Sequence, residues 1–249
     1  SISIPANVTS LDSCDLSNYT GLEILVGRED MKISALNNSL SEIWIQDIQE
    51  TPLCIDHRNI DIDSYDEVFV GTSSGIICLE ENGSELWGTD TASSITLISV
   101  TDNSVIGCGM DPWLFSISFY GDLIWRNRLR GKPILLSLLN TEGDNLPEIA
   151  VSFEDGTISI LNSELNELYS WNLTSVPAIL DGLDVGEDGY DEVLVCFYNG
   201  TIAAMNSSHI IWRLQYNGSI SEIRVCDLDA GDNDEVVVCG DNGTLMIYN

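Results

Sequence analysis

One pattern recurs along the whole chain, and this repeat restricts the possible folds more than any other feature. Each clear copy is an acidic loop followed at once by an apolar run: NIDIDSYDEVFV (59–70), NTEGDNLPEIAV (140–151), DVGEDGYDEVLV (184–195) and DLDAGDNDEVVV (227–238). Two weaker copies begin at Glu23 and Val105. Five copies close with a tryptophan: Trp44, Trp87, Trp125, Trp171 and Trp212. Their average spacing of about 42 residues is typical of the four-stranded blades of a β-propeller.

The local signals within each copy also indicate strands. The apolar runs have four to six residues, are rich in Val, Ile and Leu, and are bounded by turn residues. The pairs Asp155-Gly156, Asn199-Gly200 and Asn242-Gly243 each separate two such runs, which is a strong hairpin signal. No segment of helical length carries a 3.6-residue apolar stripe. The sequence therefore predicts an all-β chain.

The number of copies predicts a six-bladed β-propeller with four-stranded antiparallel blades, forming a single domain over residues 1–249. The expected blades are 5–46, 47–89, 90–127, 128–173, 174–214 and 215–249. The last copy ends before its closing tryptophan, and residues 1–4 read as a strand. We expect residues 1–4 to complete the last blade and close the ring, because closure removes exposed sheet edges. The closing tryptophans are expected to pack between blades.

The acidic loop, the apolar strand and the glycine-turn hairpin together resemble the FG-GAP or VCBS repeat, which builds the propeller of integrin alpha subunits. The similarity covers essentially the whole chain, clearly in four copies and loosely in two. The loop pattern of that family, D-x-D-x-D-G-x-x-D, resembles a shortened calcium loop. Calcium is a hard cation that takes six to eight oxygen ligands. The resemblance therefore implies calcium ions with a structural role.

In the family pattern, loop positions 1, 3, 5 and 9 offer side-chain oxygens, position 7 offers a carbonyl, and position 6 tolerates positive φ. The resemblance implies these metal ligands: Asn59, Asp61, Asp63 and Glu67; Asn140, Glu142, Asp144 and Glu148; Asp184, Asp188 and Glu192; Asp227, Asp229 and Glu235. Position 6 is Ser64, Asn145 and Gly189 in the first three of these loops. Position 3 of the fifth-blade loop is Gly186, for which Asp191 could compensate. We expect two to four calcium sites.

A second interpretation of these loops needs no metal. Asp, Asn, Ser and Gly are ordinary turn residues, because their side chains bond nearby backbone or tolerate unusual φ. Each loop could therefore be only a solvated turn. The recurrence of alternate oxygens and a terminal Glu in four loops favours the metal.

The charge restricts the partners that such a chain can have. It carries 40 acidic and 9 basic residues, a net charge of -31. Nucleic acids and anionic membranes would repel it, so we expect neither as a partner. The acidity could instead serve solubility or attract a basic protein.

Two features could contact a protein partner. Arg126, Arg128, Arg130 and Lys132 alternate in WRNRLRGK, so one face of a strand would carry all four. They could equally offset acidic neighbours. Trp113 is expected at a hairpin tip, where it could form a contact hot spot or fold back onto its own blade.

The compartment is suggested by the cysteines. There are seven, most of them inside apolar strands and none in a CxxC motif, which favours a reducing compartment such as the cytoplasm. Several N-x-S/T sequons keep an extracellular or cell-surface location as the alternative. The sequence has no signal peptide and no apolar run long enough for a bilayer, so we expect no membrane insertion.

The same residues bear on catalysis. The acids recur at equivalent positions instead of converging, His57 and His209 are the only histidines, and no nucleophile motif occurs. We therefore expect that the chain is not an enzyme. We expect a calcium-binding propeller that acts as a protein-interaction scaffold, either as a monomeric domain or as part of a larger assembly. A glycan- or small-ligand-binding propeller and a propeller hydrolase are the alternatives.

Overall fold

Antiparallel β-strands account for all the regular structure in the computed structural model, which describes residues 3–16, 21–61, 63–142, 146–185, 188–226 and 235–248. The described residues form 23 strands and no helix, so the all-β prediction is confirmed. The chain divides into an N-terminal unit, residues 1–132, and a C-terminal unit, residues 133–249. Each unit contains three sheets.

The N-terminal unit contains three four-stranded sheets, in each of which consecutive strands are neighbours. The first sheet comprises β1 (Val8–Cys14), β2 (Glu23–Arg28), β3 (Lys32–Leu36) and β4 (Glu42–Asp47). The second comprises β5 (Pro52–Arg58), β6 (Glu67–Thr72), β7 (Gly75–Leu79) and β8 (Glu85–Asp90). The third comprises β9 (Ile95–Val100), β10 (Ser104–Gly109), β11 (Trp113–Ser118) and β12 (Leu123–Arg128).

The C-terminal unit repeats this arrangement. The fourth sheet comprises β13 (Pro133–Leu139), β14 (Glu148–Phe153), β15 (Thr157–Leu161) and β16 (Glu167–Asn172). The fifth comprises β17 (Pro177–Leu183), β18 (Glu192–Phe197), β19 (Thr201–Met205) and β20 (Ile210–Gln215). The sixth comprises β21 (Ile220–Cys226), β22 (Glu235–Gly240) and β23 (Leu245–Tyr248).

Four-stranded antiparallel blades are thus confirmed for five sheets, whereas the sixth has three strands among the described residues. Ser3 and Ile4 belong to no strand, and residues 1 and 2 lie outside the described residues. Ring closure by residues 1–4 therefore stays a prediction, as does the single domain spanning residues 1–249.

Burial along the strands follows the repeat. All residues of β6 and β7 are buried, whereas β8 alternates between exposed and half-buried positions. The reason is that β6 and β7 are covered on one face by the first sheet and on the other by the third. Leu25 and Ile33 of the first sheet share a core with Val68 of the second. Such continuous apolar burial explains why the middle strands read as unbroken runs in the sequence.

The closing tryptophans link adjacent sheets in the N-terminal unit. The indole Nε1–H of Trp44 donates to the carbonyl oxygen of Glu81 at 2.9 Å, and that of Trp87 donates to the carbonyl oxygen of Phe119 at 2.8 Å. Both acceptors lie in the turn between the third and fourth strands of the next sheet. Packing between blades is therefore confirmed for these two tryptophans.

Each of these turns needs its glycine. Gly83 has a φ of 84°, in the left-handed region that glycine enters at little cost. A Cβ atom at Gly83 would also lie 2.7 Å from the ring of Trp44. The turn therefore has both a backbone and a packing reason to exclude a side chain.

We expect Gly83→Ala to lower the free energy of unfolding by about 2–4 kcal/mol, from left-handed strain together with the clash against Trp44. Gly21→Ala is the matched control in the same unit, because Gly21 also has positive φ but its nearest neighbouring atom would be 3.9 Å away. It should cost only about 1–2 kcal/mol. Urea denaturation of the two variants measures the difference, and equal losses would contradict the Trp44 contact.

Candidate metal centre

The loop before β6 is organised by its own side chains. The side-chain oxygen of Asn59 accepts the amide of Asp61 at 3.2 Å, that of Asp61 accepts the amide of Asp63 at 2.7 Å, and that of Asp63 accepts the amide of Tyr65 at 2.8 Å. Such turns are the usual local use of Asp and Asn. Ser64 has a φ of 96°, as the loop pattern predicts for position 6.

Three carboxylates of this loop meet. One carboxylate oxygen from each of Asp61, Asp63 and Glu67 lies within 4.8 Å of the other two. Glu67 is the first residue of β6 and is buried, whereas Asp61 and Asp63 are exposed. We call these three residues the carboxylate cluster.

Electrostatics make the carboxylate cluster unfavourable by itself. Burial raises the pKa of the Glu67 carboxyl, and the negative charges of Asp61 and Asp63 raise it further. The amide of Ile60, which donates to Glu67 Oε2 at 2.9 Å, acts in the opposite direction. Among the described residues, no Lys or Arg pairs with any of the three acids. A hard divalent cation would relieve this repulsion, and an all-oxygen donor set is the kind that calcium takes.

The Glu67–Ile60 contact recurs in other loops, which sequence reasoning did not anticipate. In each, the glutamate that begins the second strand of the sheet accepts the amide of the residue seven positions earlier. The pairs are Glu23 with Leu16 at 2.9 Å, Glu67 with Ile60 at 2.9 Å, Glu148 with Thr141 at 2.6 Å and Glu192 with Val185 at 3.0 Å. We call this contact the glutamate clamp. Because the first loop has it too, the terminal Glu has a structural role independent of metal.

The fourth-blade loop carries only part of its predicted ligand set in the described residues, whereas the three ligands predicted for the fifth-blade loop are all described. Glu148 begins β14 and Glu142 is exposed, while Asp144 lies outside the described residues. Asn140 donates its side-chain amide to the carbonyl oxygen of Gly189 at 2.9 Å, so its NH2 group faces the next loop. Asp184 accepts the amides of Asp188 and Gly189, the latter at 2.8 Å.

Of the remaining predicted ligands, some are described by the structure and others lie outside the described residues. Asp188 accepts the amide of Tyr190 at 3.1 Å, and Glu192 begins β18. Glu235 is buried at the start of β22, whereas Asp227 and Asp229 lie outside the described residues. The second-blade loop is therefore where the described structure brings three predicted ligands together.

Neighbouring loops are joined by two aspartates, Asp66 and Asp191. The sequence does not single out Asp66, and it suggests Asp191 only as a metal ligand. Asp66 accepts the amide of Asp15 at 3.1 Å and returns its own amide to the carbonyl of Asp15 at 2.8 Å. Asp191 forms the same reciprocal pair with Asn140, at 2.7 and 2.8 Å. One carboxylate oxygen of Asp191 is thus used for joining two loops, and compensation for Gly186 by this residue stays a prediction. The recurring Asp-Glu pair at 66–67 and 191–192 was the available sequence signal.

His57 belongs to the same arrangement. Its Nδ1 lies 2.8 Å from Oδ2 of Asp66, the oxygen that also contacts the amide of Asp15. The side chain of one of the two histidines is therefore used at the junction of the first and second loops.

The predicted partner-contact residues lie within the third sheet or just beyond it. Trp113 is the first residue of β11 and is half-buried against the core, and the guanidinium carbon of Arg126 lies 5.3 Å from the centre of its ring. Trp113 thus folds back onto its own sheet. Because β12 ends at Arg128, the prediction of one strand face carrying Arg126, Arg128, Arg130 and Lys132 is wrong for the last two.

We expect Arg126→Ala to lower the free energy of unfolding by about 0.5–1 kcal/mol, because the cation–π contact with Trp113 is lost at a partly exposed site. Arg128→Ala removes the same charge from the same strand and should change stability by less than about 0.5 kcal/mol. Urea denaturation compares the two. Equal effects would show that the charge of the strand matters and the ring contact does not.

The solved structures similar to this chain are propeller-like proteins. BBS1N, crystallised in complex with ARL6DN, matches 96% of this chain and 78% of its own at 17% identity, with a TM-score of 0.80. Sqt1 of Saccharomyces cerevisiae matches 97% of this chain and 71% of its own at 13% identity, with a TM-score of 0.76. BamB of Moraxella catarrhalis matches 97% and 83% at 15% identity, with a TM-score of 0.62.

At these identities the likeness establishes the fold alone. The fold is β-propeller-like. No protein-family model matches the chain, and no curated protein sequence matches it either. The described residues include no helix of the length and hydrophobicity needed to cross a membrane.

Proposed function

We propose that this chain is a calcium-binding β-propeller of the FG-GAP type that acts as a protein-interaction scaffold. In this proposal residues 1–4 complete the sixth blade, the calcium is structural, and the chain is not an enzyme. The observation that carries the calcium proposal is the carboxylate cluster of Asp61, Asp63 and Glu67.

The residues present fit a bound calcium ion. Asp61, Asp63 and Glu67 would supply carboxylate oxygens, with further oxygens available from Asn59 and the backbone of Tyr65. The ion would hold together the two ends of the loop that leads into the buried strand β6. The glutamate clamp already positions Glu67 for this, because its Oε2 is fixed by the amide of Ile60. Binding to the folded chain alone would then stabilise the second sheet.

A scaffold role is supported by the fold and by what the histidines do. The similar protein BBS1N was crystallised in complex with another protein, ARL6DN. In this chain, His57 is hydrogen-bonded to Asp66 at a loop junction, and His209 is exposed in a turn. Among the described residues, neither histidine belongs to the carboxylate cluster. A structural use of the acids therefore accounts for the arrangement without a catalytic step.

We expect millimolar calcium to raise the melting temperature and a chelator to lower it, with stabilisation of about 2.7 kcal/mol once calcium exceeds its dissociation constant a hundredfold. Glu67→Gln should abolish the effect of calcium. Without calcium this variant should be no less stable than the parent as pH rises above the usual carboxyl range. The reason is that the raised pKa of Glu67 makes its ionised form a cost to the folded state.

Glu23→Gln is the matched control for this experiment. Glu23 is buried and forms the same glutamate clamp, but its loop keeps few of the pattern's oxygens. It should therefore leave the response of the melting temperature to calcium unchanged. Differential scanning calorimetry with calcium and with chelator measures both variants. Identical melting of the parent protein in the two conditions would contradict a calcium site.

A further inference from the structure

A cavity of about 600 Å³ opens beside the carboxylate cluster, between the second and third sheets of the N-terminal unit. Besides the three clustered acids, it is lined by Glu80 and Glu81 of the turn before β8, and by the aromatic rings of Trp87, Phe119 and Tyr120. We call it the acidic–aromatic cavity. Its volume lies in the range that is typical of small-molecule binding pockets.

The charge of this lining is of one sign. Five acidic residues line the cavity, and no Lys, Arg or His is among the described residues that line it. The Glu80 carboxylate accepts the side chains of Asn82 and Ser84, at 3.0 and 3.1 Å, which fixes its position. The Glu81 carboxylate makes no hydrogen bond or ion pair with another described residue. The cavity therefore holds at least one carboxylate that a cationic group could pair without displacing a protein contact.

The remaining lining is apolar and in part rigid. The ring of Trp87 is held by its hydrogen bond to the carbonyl of Phe119 at 2.8 Å. Tyr120 stands at the tip of the adjacent turn with 87% of its surface exposed, and Leu86 is 44% exposed. The exposed ring and the acids thus lie on one surface, which presents both apolar area and negative charge.

Lysine and arginine match both parts of this lining. Each has an apolar stem beneath a cationic head, so the stem can lie on the rings while the head reaches the carboxylates. A neutral sugar would use the rings but leave most of the negative charge without a counterpart. An anionic ligand would be repelled by it. Charge complementarity therefore selects a basic peptide among the possible occupants.

We propose that the acidic–aromatic cavity binds a lysine- or arginine-bearing segment of a protein partner. This proposal rests on the scaffold function above and names the chemistry of the partner. It does not depend on calcium: an ion in the carboxylate cluster would neutralise part of the charge but leave Glu80 and Glu81 to pair the cationic head.

The test uses a capped pentapeptide with one arginine between two leucines, and the same peptide with citrulline, which keeps the shape and lacks the charge. Titration into the full ¹⁵N-labelled protein, with calcium present, is followed by NMR at the indole N–H of Trp87. We expect the arginine peptide to shift this signal saturably and the citrulline peptide to bind about tenfold more weakly. Equal binding of the two peptides would overturn the proposal.

Matched variants separate the cavity from general attraction to an acidic protein. Glu80→Gln/Glu81→Gln should weaken the arginine peptide about tenfold, since the amides keep the shape but lose the charge-assisted bonds. Glu154→Gln/Glu164→Gln removes the same charge from exposed positions in the C-terminal unit and should change affinity less than about twofold. Tyr120→Ala, at an exposed turn position, should weaken binding about threefold. Equal losses in the two double variants would overturn the proposal.

The remaining outcomes are distinct from a failure of the calcium site. A Trp87 shift produced by a neutral oligosaccharide, and not by the arginine peptide, would replace this proposal with glycan binding. Absence of a calcium effect on melting together with selective peptide binding would reject the calcium site alone. A calcium effect without peptide binding would reject the partner chemistry and leave the metal centre standing.

Discussion

The glutamate clamp is the contact that closes four of the loops leading into the second strand of a sheet. In four loops a carboxylate at the start of a buried strand accepts the amide seven residues earlier, which fixes both ends of the loop to each other. A hydrogen bond from a backbone amide to a carboxylate is stronger than one between two neutral groups, so it offsets part of the cost of burying the glutamate. The glutamate is thus paired at the point where the chain enters a mostly apolar, buried strand. This explains why an acidic loop and an apolar strand recur as one unit.

The same contact explains why acids crowd in these loops. Asp and Asn at alternate positions form successive turns over the loop, and the clamp then brings a buried glutamate against them, as for Asp61, Asp63 and Glu67. Turn geometry alone accounts for the placement, but it leaves like charges close together. A cation is the group that would make this arrangement favourable. The first loop has the clamp but fewer of the pattern's oxygens in its sequence, so the clamp and the proposed metal are separable features of one repeat.

Most of the fold follows from the sequence because it is encoded locally. The period of the tryptophans, the glycine turns and the unbroken apolar runs each reflect a contact within one sheet or with the next. What could not be predicted depends on how separate segments meet. The reciprocal pairing of Asp66 with Asp15 requires two loops from different sheets to be side by side. The sequence left open whether Trp113 forms a contact at a hairpin tip or folds back onto its own blade; β11 begins at that residue, and its ring is covered by Arg126 from the adjacent strand. Alternation continued to Arg130 in the sequence but not in β12, which had already ended.

The tryptophan contacts connect the fold to the proposed partner site. Trp87 holds the third sheet's turn through Phe119, and that turn carries Tyr120 at its tip, so one interaction both packs two sheets and fixes the wall of the acidic–aromatic cavity. A wall that is rigid before binding does not have to be ordered by the ligand, which lowers the entropic cost of association. The net charge of -31 attracts basic partners over a distance but does so at every part of the surface. Selectivity must then come from a place where charge and a fixed aromatic surface coincide, and in the N-terminal unit this cavity provides both.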